Sequence, residues 1–399
     1  MSENQYLTIL LTLWDRVPCT FRWMTYASKV DWPFKVLIAD GGSDESVSQV
    51  LLDRNSFPKV DYEYIRYPYD STPTHYYKKV LDALGRVETP YVVFADNDDF
   101  YLVEALLRSV EFLKHNPDFS SCRGIIGGVR LTPDASSGEL SNIYGENVSF
   151  VRQVYPPDRS NLEETALERV HNYFASYRPN WYDVSRIEQT REHFKVLRDL
   201  DTQDLILSQH IPMLLGVIAG KVQIEPYLYL LRQLEGPNSV DQIETKQKGD
   251  LFDRMLMGSW SDEFKGFVEA IADALARKDG ITIEEARREI RQGYRNFIAP
   301  HLASCLVKPV APTGRTSLAR GVISRLGPLG TGLRKLYPPV QRMIKGRPKV
   351  GGRDFIPAAE LLESDTDFKL IYDFLAAPPC PVKGAPETQV RGSLEYRSS

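Results

Sequence analysis

Cysteine is scarce and scattered. Cys19, Cys122, Cys305 and Cys380 are the four in 399 residues, and no two of them form a C-x-x-C pair. A zinc knuckle and a disulfide scaffold are therefore not indicated, and a reducing cytoplasm is the default setting. Long apolar runs are missing too. The longest, Ile211 to Ala219, is about half of the ~20 residues a membrane-spanning helix needs, and it contains Pro212. The Met1 end has no basic segment before its apolar run, so that run is expected to be a strand and not a secretory signal. Acidic residues are absent from one long stretch. From Lys308 to Arg353 there are eleven Lys or Arg and no Asp or Glu. The net charge of the chain is nevertheless −4, so the remainder is correspondingly acidic, and nucleic acid is not an expected partner.

What is present is ordinary for a soluble globular protein: 42% hydrophobic and 26% charged residues, over a length that exceeds one compact domain. The apolar pattern alternates between strands and helices. Leu7 to Leu13 predicts a first strand, followed past Pro18 by a helix carrying Phe21 and Trp23. Lys35 to Ala39 predicts a second strand, ending in Asp40-Gly41-Gly42-Ser43-Asp44, where Ser43 is placed to cap a helix. Tyr62 to Tyr67 alternates as a third strand, and Thr74 to Leu84 has helical spacing. Tyr91 to Ala95 is the fourth strand; a helix over Val103 to Leu113 and a strand near Ile125 to Leu131 follow. This β-α alternation implies an α/β fold, a mostly parallel sheet with helices on both faces.

The fourth strand ends in Asp96-Asn97-Asp98-Asp99. Three carboxylates at the carboxyl end of a buried strand suit a hard divalent cation such as Mg²⁺ or Mn²⁺, and that edge is where open α/β sheets bind ligands. Two motifs are excluded. An EF-hand starting at Asp96 needs Gly and Glu where Tyr101 and Leu107 stand, and a strand-Asp-x-Asp-x-Thr phosphatase needs a hydroxyl where Phe100 stands. Asp98 is the first choice of metal ligand, with Asp96 nearer the strand. Asp99 either assists the metal or only caps the following helix.

The spaced pieces Asp40-Gly41-Gly42-Ser43, Asp96-Asn97-Asp98, Gln203-Asp204 and Gly220 through Pro226 to Arg232 together resemble the nucleotide-sugar glycosyltransferases of the GT-A fold, in particular the family-2-like enzymes. The resemblance covers roughly residues 5–240. It departs from the family at Gln203, where Glu is frequent, in the spacing at Gly42, and in lacking a clear Gln-x-x-Arg-Trp element, which argues against a processive membrane-embedded synthase. It implies a GT-A domain over 1–240 that binds a nucleotide-sugar donor through Asp40, Gly41 and Asp96, and a metal through Asp98 and Asp96. Asp204 is implied as the catalytic base of an inverting transfer to a glycan, lipid-linked or protein hydroxyl. The competing reading of Asp201-Thr202-Gln203-Asp204 is a helix N-cap cluster, which Asp201 fits better than Asp204. Lys78, Lys79, Arg178 and His75 are candidates for the diphosphate and nucleotide pocket, and Trp181, Tyr182 and Arg178 for the acceptor side. Tyr173 and Phe174 suit packing. A nucleotidyltransferase shares the sheet and the metal but wants a Gly-rich basic loop after the first strand, which Leu13 to Thr20 lacks. A catalytically degenerate GT-A domain serving as a membrane-associated scaffold is the non-enzymatic alternative.

Beyond a loop at Glu235 to Ser239, Leu251 to Leu275 and Ile283 to Phe297 have helical periodicity and predict a helical appendage over 241–305. A basic, Gly/Pro-interrupted arm occupies 306–353, and 354–399 is expected to hold a short helix and a tail that is disordered beyond Pro378. The arm interleaves Leu318, Val322, Ile323, Leu326 and Leu333 with its charges. It suits either a flexible linker or peripheral contact with an anionic membrane, which places the protein in the cytoplasm or on the inner face of the cytoplasmic membrane. Basic residues near an anionic leaflet contribute about 1 kcal/mol each. The full chain is therefore expected to float with anionic liposomes at low salt and to be released at high salt, whereas a chain ending before Lys308 stays behind. Equal flotation of the two, or none of either, would leave the linker reading.

Overall fold

The computed structural model describes residues 6–132, 143–156, 158–234, 248–306, 349–350, 353–354, 356–357, 360 and 366–385. β1 (Leu7–Leu13) leads through α1 (Val17–Lys29) to β2 (Lys35–Asp40), then α2 (Ser46–Leu51), β3 (Tyr62–Arg66), α3 (Pro73–Gly85) and β4 (Tyr91–Ala95). The chain continues through β5 (Phe100–Tyr101), α4 (Val103–His115), β6 (Phe119–Leu131), β7 (Val148–Val151), α5 (Ala166–Ala175) and β8 (Val184–Arg186). α6 (Ile187–Leu200), α7 (Leu205–Ala219) and β9 (Lys221–Gln233) complete this part, and the helices Gly258–Asp279 and Ile283–Leu306 follow.

Ten of the strands among the described residues form one sheet. Its path runs from the short strand Ile356–Pro357 through β7, β6, β8, β4, β1 and β2 to β3, with β9 alongside β6 and β5 on β9. β3, β2, β1 and β4 are parallel, as are β6 and β9, while β8, β7 and β5 pair antiparallel. The expected α/β architecture is therefore present. β1 is the pivot: the chain winds outward through β2 and β3 on one side, then returns to lay β4 on the other.

The apolar runs are continuous because both faces of these strands are covered. Ile9, Leu11, Val36, Ile38, Val93 and Ala95 face a core that includes Phe21, Met24, Leu106 and Val110 of α1 and α4. Leu10, Leu37, Val92 and Phe94, one residue out of phase, face a second core with Val80 and Leu84 of α3, Phe194 of α6, and Ile211 and Leu214 of α7. That alternation is the period of two that a strand imposes on its side chains. The second core extends into Phe267, Ile271, Ile290 and Tyr294 of the two C-terminal helices.

Several expectations are corrected. Ser43 does not cap α2; Glu45 holds the N-cap position, and Ser43 gives its N–H and its hydroxyl to Asp15 Oδ1 at 2.6 and 2.8 Å. The run Leu251 to Leu275 is two helices, Leu251–Met255 and Gly258–Asp279, separated at Leu256-Met257. β6 begins at Phe119, six residues before the strand read from its apolar half, because Ser120, Ser121 and Arg123 are buried polar residues that hide the pattern. Residues past Pro378 are packed as far as 385: Val382 is buried in the first core. Among the described residues no helix is long and apolar enough to cross a membrane. Of the basic arm, 307–348 and 351–352 lie outside the described residues; Lys349–Val350 and Arg353–Asp354 pair as a two-stranded ribbon. The loop at 235–239 also lies outside them.

α7 is fixed at its C-terminal end by a buried arginine. Arg169 donates to Val217 O and Ile218 O at 2.8 and 3.0 Å, and to Glu163 O and Glu164 O at 2.9 and 2.8 Å. These carbonyls include two that the end of a helix leaves without intrahelical donors. Replacing Arg169 with Met keeps the stem and strands the acceptors, so the variant is expected to lose about 3 kcal/mol of stability, measured as the urea midpoint. A loss below about 1 kcal/mol would mean that water satisfies those carbonyls instead.

Candidate active site

Parallel pairing brings the C-terminal ends of β1, β2, β3 and β4 to one edge. Leu13 is in register with Asp40, Asp40 with Arg66, and Leu11 with Ala95. The turn after β1 and the turn after β4 thus flank the line where the strand order reverses, the usual ligand crevice of an open α/β sheet.

Asp96, Asp98 and Asp99 lie there as a group, with one carboxylate oxygen of each within 4.8 Å of the others. β5 pairs antiparallel with β9, Phe100 opposite Leu231, which puts Asp99 against Arg232. Arg232 Nε donates to Asp99 Oδ2 at 3.2 Å, and the same guanidinium lies 3.6 Å from Asp96 Oδ2 and 4.4 Å above the Tyr182 ring. Tyr182 gives its hydroxyl to Asp96 Oδ2 at 2.6 Å. Arg16, in the turn after β1, is paired with Asp98. Burial raises the Asp99 carboxyl well above the usual carboxylate range, opposed by the Arg232 charge. Asp99 is not the cap of α4: Leu102 holds that position, and β5 intervenes. The turn is braced by Asn97, whose amide donates to Thr20 Oγ1 at 3.0 Å and to Asp15 O at 3.3 Å, and by Tyr101, which donates to Phe94 O at 2.6 Å.

The donor set fits a hard cation. All three groups offer oxygen, and Asp99 Oδ1 is buried without a hydrogen-bond partner, a position that is costly unless something positive fills it.

Asp40, on β2 and separated from the cluster's strand by β1, is buried. Its Oδ2 accepts from Tyr64 at 2.6 Å and from Arg66 at 2.8 Å, and its Oδ1 accepts from Gly42 N at 2.8 Å. The local turn bond and an outward arginine partner therefore coexist on one carboxylate. Gly41 is required by space: a Cβ there would collide with the Asp70 carboxylate. Asp70 in turn pairs with the buried Lys79, which donates to Leu13 O at 3.0 Å. Lys78, its neighbour, is exposed, and His75 is exposed with Nδ1 3.0 Å from Ser71 Oγ.

Asp204 is the N-cap of α7, with Oδ1 accepting from Ile206 N and Leu207 N at 3.0 and 2.9 Å. The cap thus falls on Asp204, while Asp201 is a left-handed residue closing α6. Asp204 Oδ2 pairs with Arg254 at 3.0 Å, Glu263 accepts from both Gln203 N and Asp204 N at 2.9 and 2.7 Å, and Lys248 donates to Gln203 O at 2.7 Å. The segment is also tied to α3, since Thr74 bonds both Asp201 and Gln203.

The aromatic candidates part company. Tyr182 belongs to the carboxylate cluster. Trp181 packs on Phe94 and Phe194, with ring centres 5.3 and 5.8 Å away. Arg178 lines a separate small cavity of about 30 Å³ with Arg123, Asn161, Asn180 and Asp183. There Arg123 pairs with Asp158 and Asp183 at 3.1 Å each, and burial pushes the Asp183 carboxyl up to about 6. Tyr173 and Phe174 are core residues, as expected. Sequence reasoning passed over Arg16, Arg66, Arg254 and Glu263. The signal for Arg66 was present, since it ends β3 in register with Asp40; the long-range partners of Arg254 and Glu263 had none.

No protein-family model matches the chain, and no curated protein matches it in sequence. Among solved structures, the chain is similar to S. aureus TarS 1-349 in complex with UDP-GlcNAc, at 14% identity and TM-score 0.37, covering 75% of this chain and 92% of that one. It is also similar to glucosyl-3-phosphoglycerate synthase from Mycobacterium tuberculosis in complex with Mn²⁺, UDP-glucose and phosphoglyceric acid, at 12% identity and TM-score 0.33, covering 70% and 81%. At these scores the likeness is loose, and the chemistry has to come from the residues themselves.

Proposed function

We propose that the chain is a nucleotide-sugar-dependent glycosyltransferase working with a divalent cation, Mn²⁺ or Mg²⁺. The observation that carries this reading is the Asp96, Asp98 and Asp99 cluster at the reversal point of the sheet, with the buried Asp99 oxygen and, beyond β1 on the same sheet edge, Asp40 and Arg66. Asp98, Asp96 and Asp99 would hold the cation, which when bound supplies positive charge to the departing diphosphate. Asp40 and Gly41 take the nucleoside from the β2 side, and the exposed His75 and Lys78, in the first and second turns of α3, are diphosphate partners. Asp204 accepts the proton of the acceptor hydroxyl in an inverting transfer, held in place by Arg254 and by its own cap bonds. Tyr182 belongs to the acceptor side through Asp96, whereas Trp181 packs on Phe94 and Phe194 and Arg178 lines a separate cavity. The acceptor is a glycan, lipid-linked or protein hydroxyl, and residues 308–353 provide peripheral contact with an anionic membrane.

One observation favours the scaffold alternative: both oxygens of the buried Asp204 are engaged, by two backbone N–H groups and a guanidinium. A panel of nucleotide sugars with Mn²⁺ or Mg²⁺ separates the two. No binding, hydrolysis or transfer with any donor would favour the scaffold.

Two substitutions test the assignments. Asp98→Asn keeps the shape of the side chain but weakens divalent coordination, so metal-dependent binding of nucleoside diphosphate should be lost by calorimetry while the thermal unfolding curve is retained. Binding equal to that of the parent would remove Asp98 from the ligand set. Asp204→Asn keeps a cap acceptor, so donor affinity should persist while transfer falls by about 10²–10⁴. Unchanged turnover would move the base to Asp201 or another carboxylate.

A further inference from the structure

We infer that Arg16 is a built-in counter-ion for the cation site, one that holds Asp98 when no metal is bound and turns to the anionic ligand when a metal enters. The inference rests on the metal-dependent reading above and adds to it a residue and an exchange.

Two arginines face the three carboxylates, and they differ in how they are held. Arg232 sits inside β9 opposite Gly128, lies over the Tyr182 ring, and is shared by Asp96 and Asp99. Arg16 sits in the turn between β1 and α1, and its guanidinium is paired with Asp98 alone among the described carboxylates. The backbone beneath it is fixed. Asp15 and Arg16 have φ values of 57° and 56°, a left-handed conformation rare for residues with a side chain. Two consecutive residues are kept there by the bonds of Ser43 to Asp15 Oδ1 and by Asn97, whose amide reaches Asp15 O and Arg16 O at 3.3 and 3.4 Å. An ordinary turn would carry the Arg16 side chain elsewhere; this one presents it over Asp98.

A divalent ion bound by Asp98 meets the Arg16 charge at close range, and like charges at that distance in a part-buried site repel strongly. One must give way. The pinned backbone and the single partner make the Arg16 side chain the group that moves, and the crevice it faces is the one into which the diphosphate of the donor would enter. A guanidinium is suited to that change of partner, since its planar fork matches phosphate oxygens as well as carboxylate. Arg16 would thus lower the affinity for free metal and raise it for the anion that accompanies the metal, which couples loading of the cation to loading of the donor.

The test uses the full chain and its Arg16→Gln and Arg16→Lys variants, with circular dichroism as the check on folding. Calorimetry with Mn²⁺ alone, no nucleotide present, should show Arg16→Gln binding about tenfold tighter than the parent, with Arg16→Lys close to the parent. Titration with inorganic diphosphate at saturating Mg²⁺ should show the opposite order, Arg16→Gln binding about tenfold more weakly. Mn²⁺ affinity that is unchanged or lower in Arg16→Gln would overturn the inference. Should the variants not fold, the parent decides by itself: the side-chain Nε signal of Arg16 in arginine-labelled protein should shift on adding Mg²⁺, and a signal that stays put sinks the idea. These readouts involve no sugar transfer. A protein that binds metal as described yet transfers no sugar would therefore fail the glycosyltransferase reading alone.

Discussion

Everything at the site follows from β1 being paired in parallel on both sides, with β2 on one and β4 on the other. Parallel partners end at the same edge, so the residues just past Leu13, Asp40, Arg66 and Ala95 are neighbours in space although up to about eighty residues separate them in sequence. Because β1 is buried on both faces, its register is fixed: a slip of one residue would exchange Ile9 and Leu11, which face one core, with Leu10, which faces the other. The carboxylates are placed by packing that takes no part in their chemistry.

Placing three carboxylates in such a crevice is unfavourable without positive charge nearby, and the fold supplies it from two directions. Arg232 arrives on β9, held by the β5 pairing, and Arg16 arrives on the turn after β1. A third arginine, Arg22, supports the backbone of the cluster: it donates to Asp98 O at 3.3 Å and to Gln233 at 2.8 Å, and lies over the Phe100 ring. The same logic repeats on the far side of β1, where Asp40 is shared by Tyr64 and Arg66 and Asp70 is paired with Lys79. Buried or half-buried acids neutralised by an arginine or lysine are the recurrent unit of this sheet edge.

The legible parts of the sequence were those where the physics is local. Buried strands such as YVVFA and KVLIA announce themselves by unbroken apolar runs, and the Asp96 cluster by its place at the end of one. The first four strands and the helices between them follow from that signal. What was not legible depends on distant partners. The strand that begins at Phe119 hides behind Ser120, Ser121 and Arg123, which are buried because distant partners complete their bonding: Asp158 and Asp183 for Ser121 and Arg123, and the carbonyls of Gly220 and Lys221 for Ser120. Asp99 has the composition of a helix cap, and only the β5 to β9 pairing turns it into a buried partner of Arg232. From sequence the cap reading fits Asp201 better than Asp204, and the structure reverses it. The cap goes to Asp204 because α6 ends in a left-handed turn at Asp201, three residues earlier.

The segments beyond β9 look like additions to a completed sheet, yet they support the site from opposite faces. On one face, Glu263 of the helix Gly258–Asp279 accepts both N–H groups of Gln203 and Asp204, and Arg254 pairs with the Asp204 carboxylate. On the other, the helix Thr366–Ala376 sets Phe374 against Tyr26 and Phe100, with ring centres 5.3 and 6.0 Å away, directly behind β5 and the turn that carries the carboxylates. A chain ending where the strands end would leave the Asp204 loop without its charged partners and would expose the aromatic face of α1 and β5 to water. The strands supply the geometry of the crevice, and the later helices keep its loops in the positions where that geometry is useful.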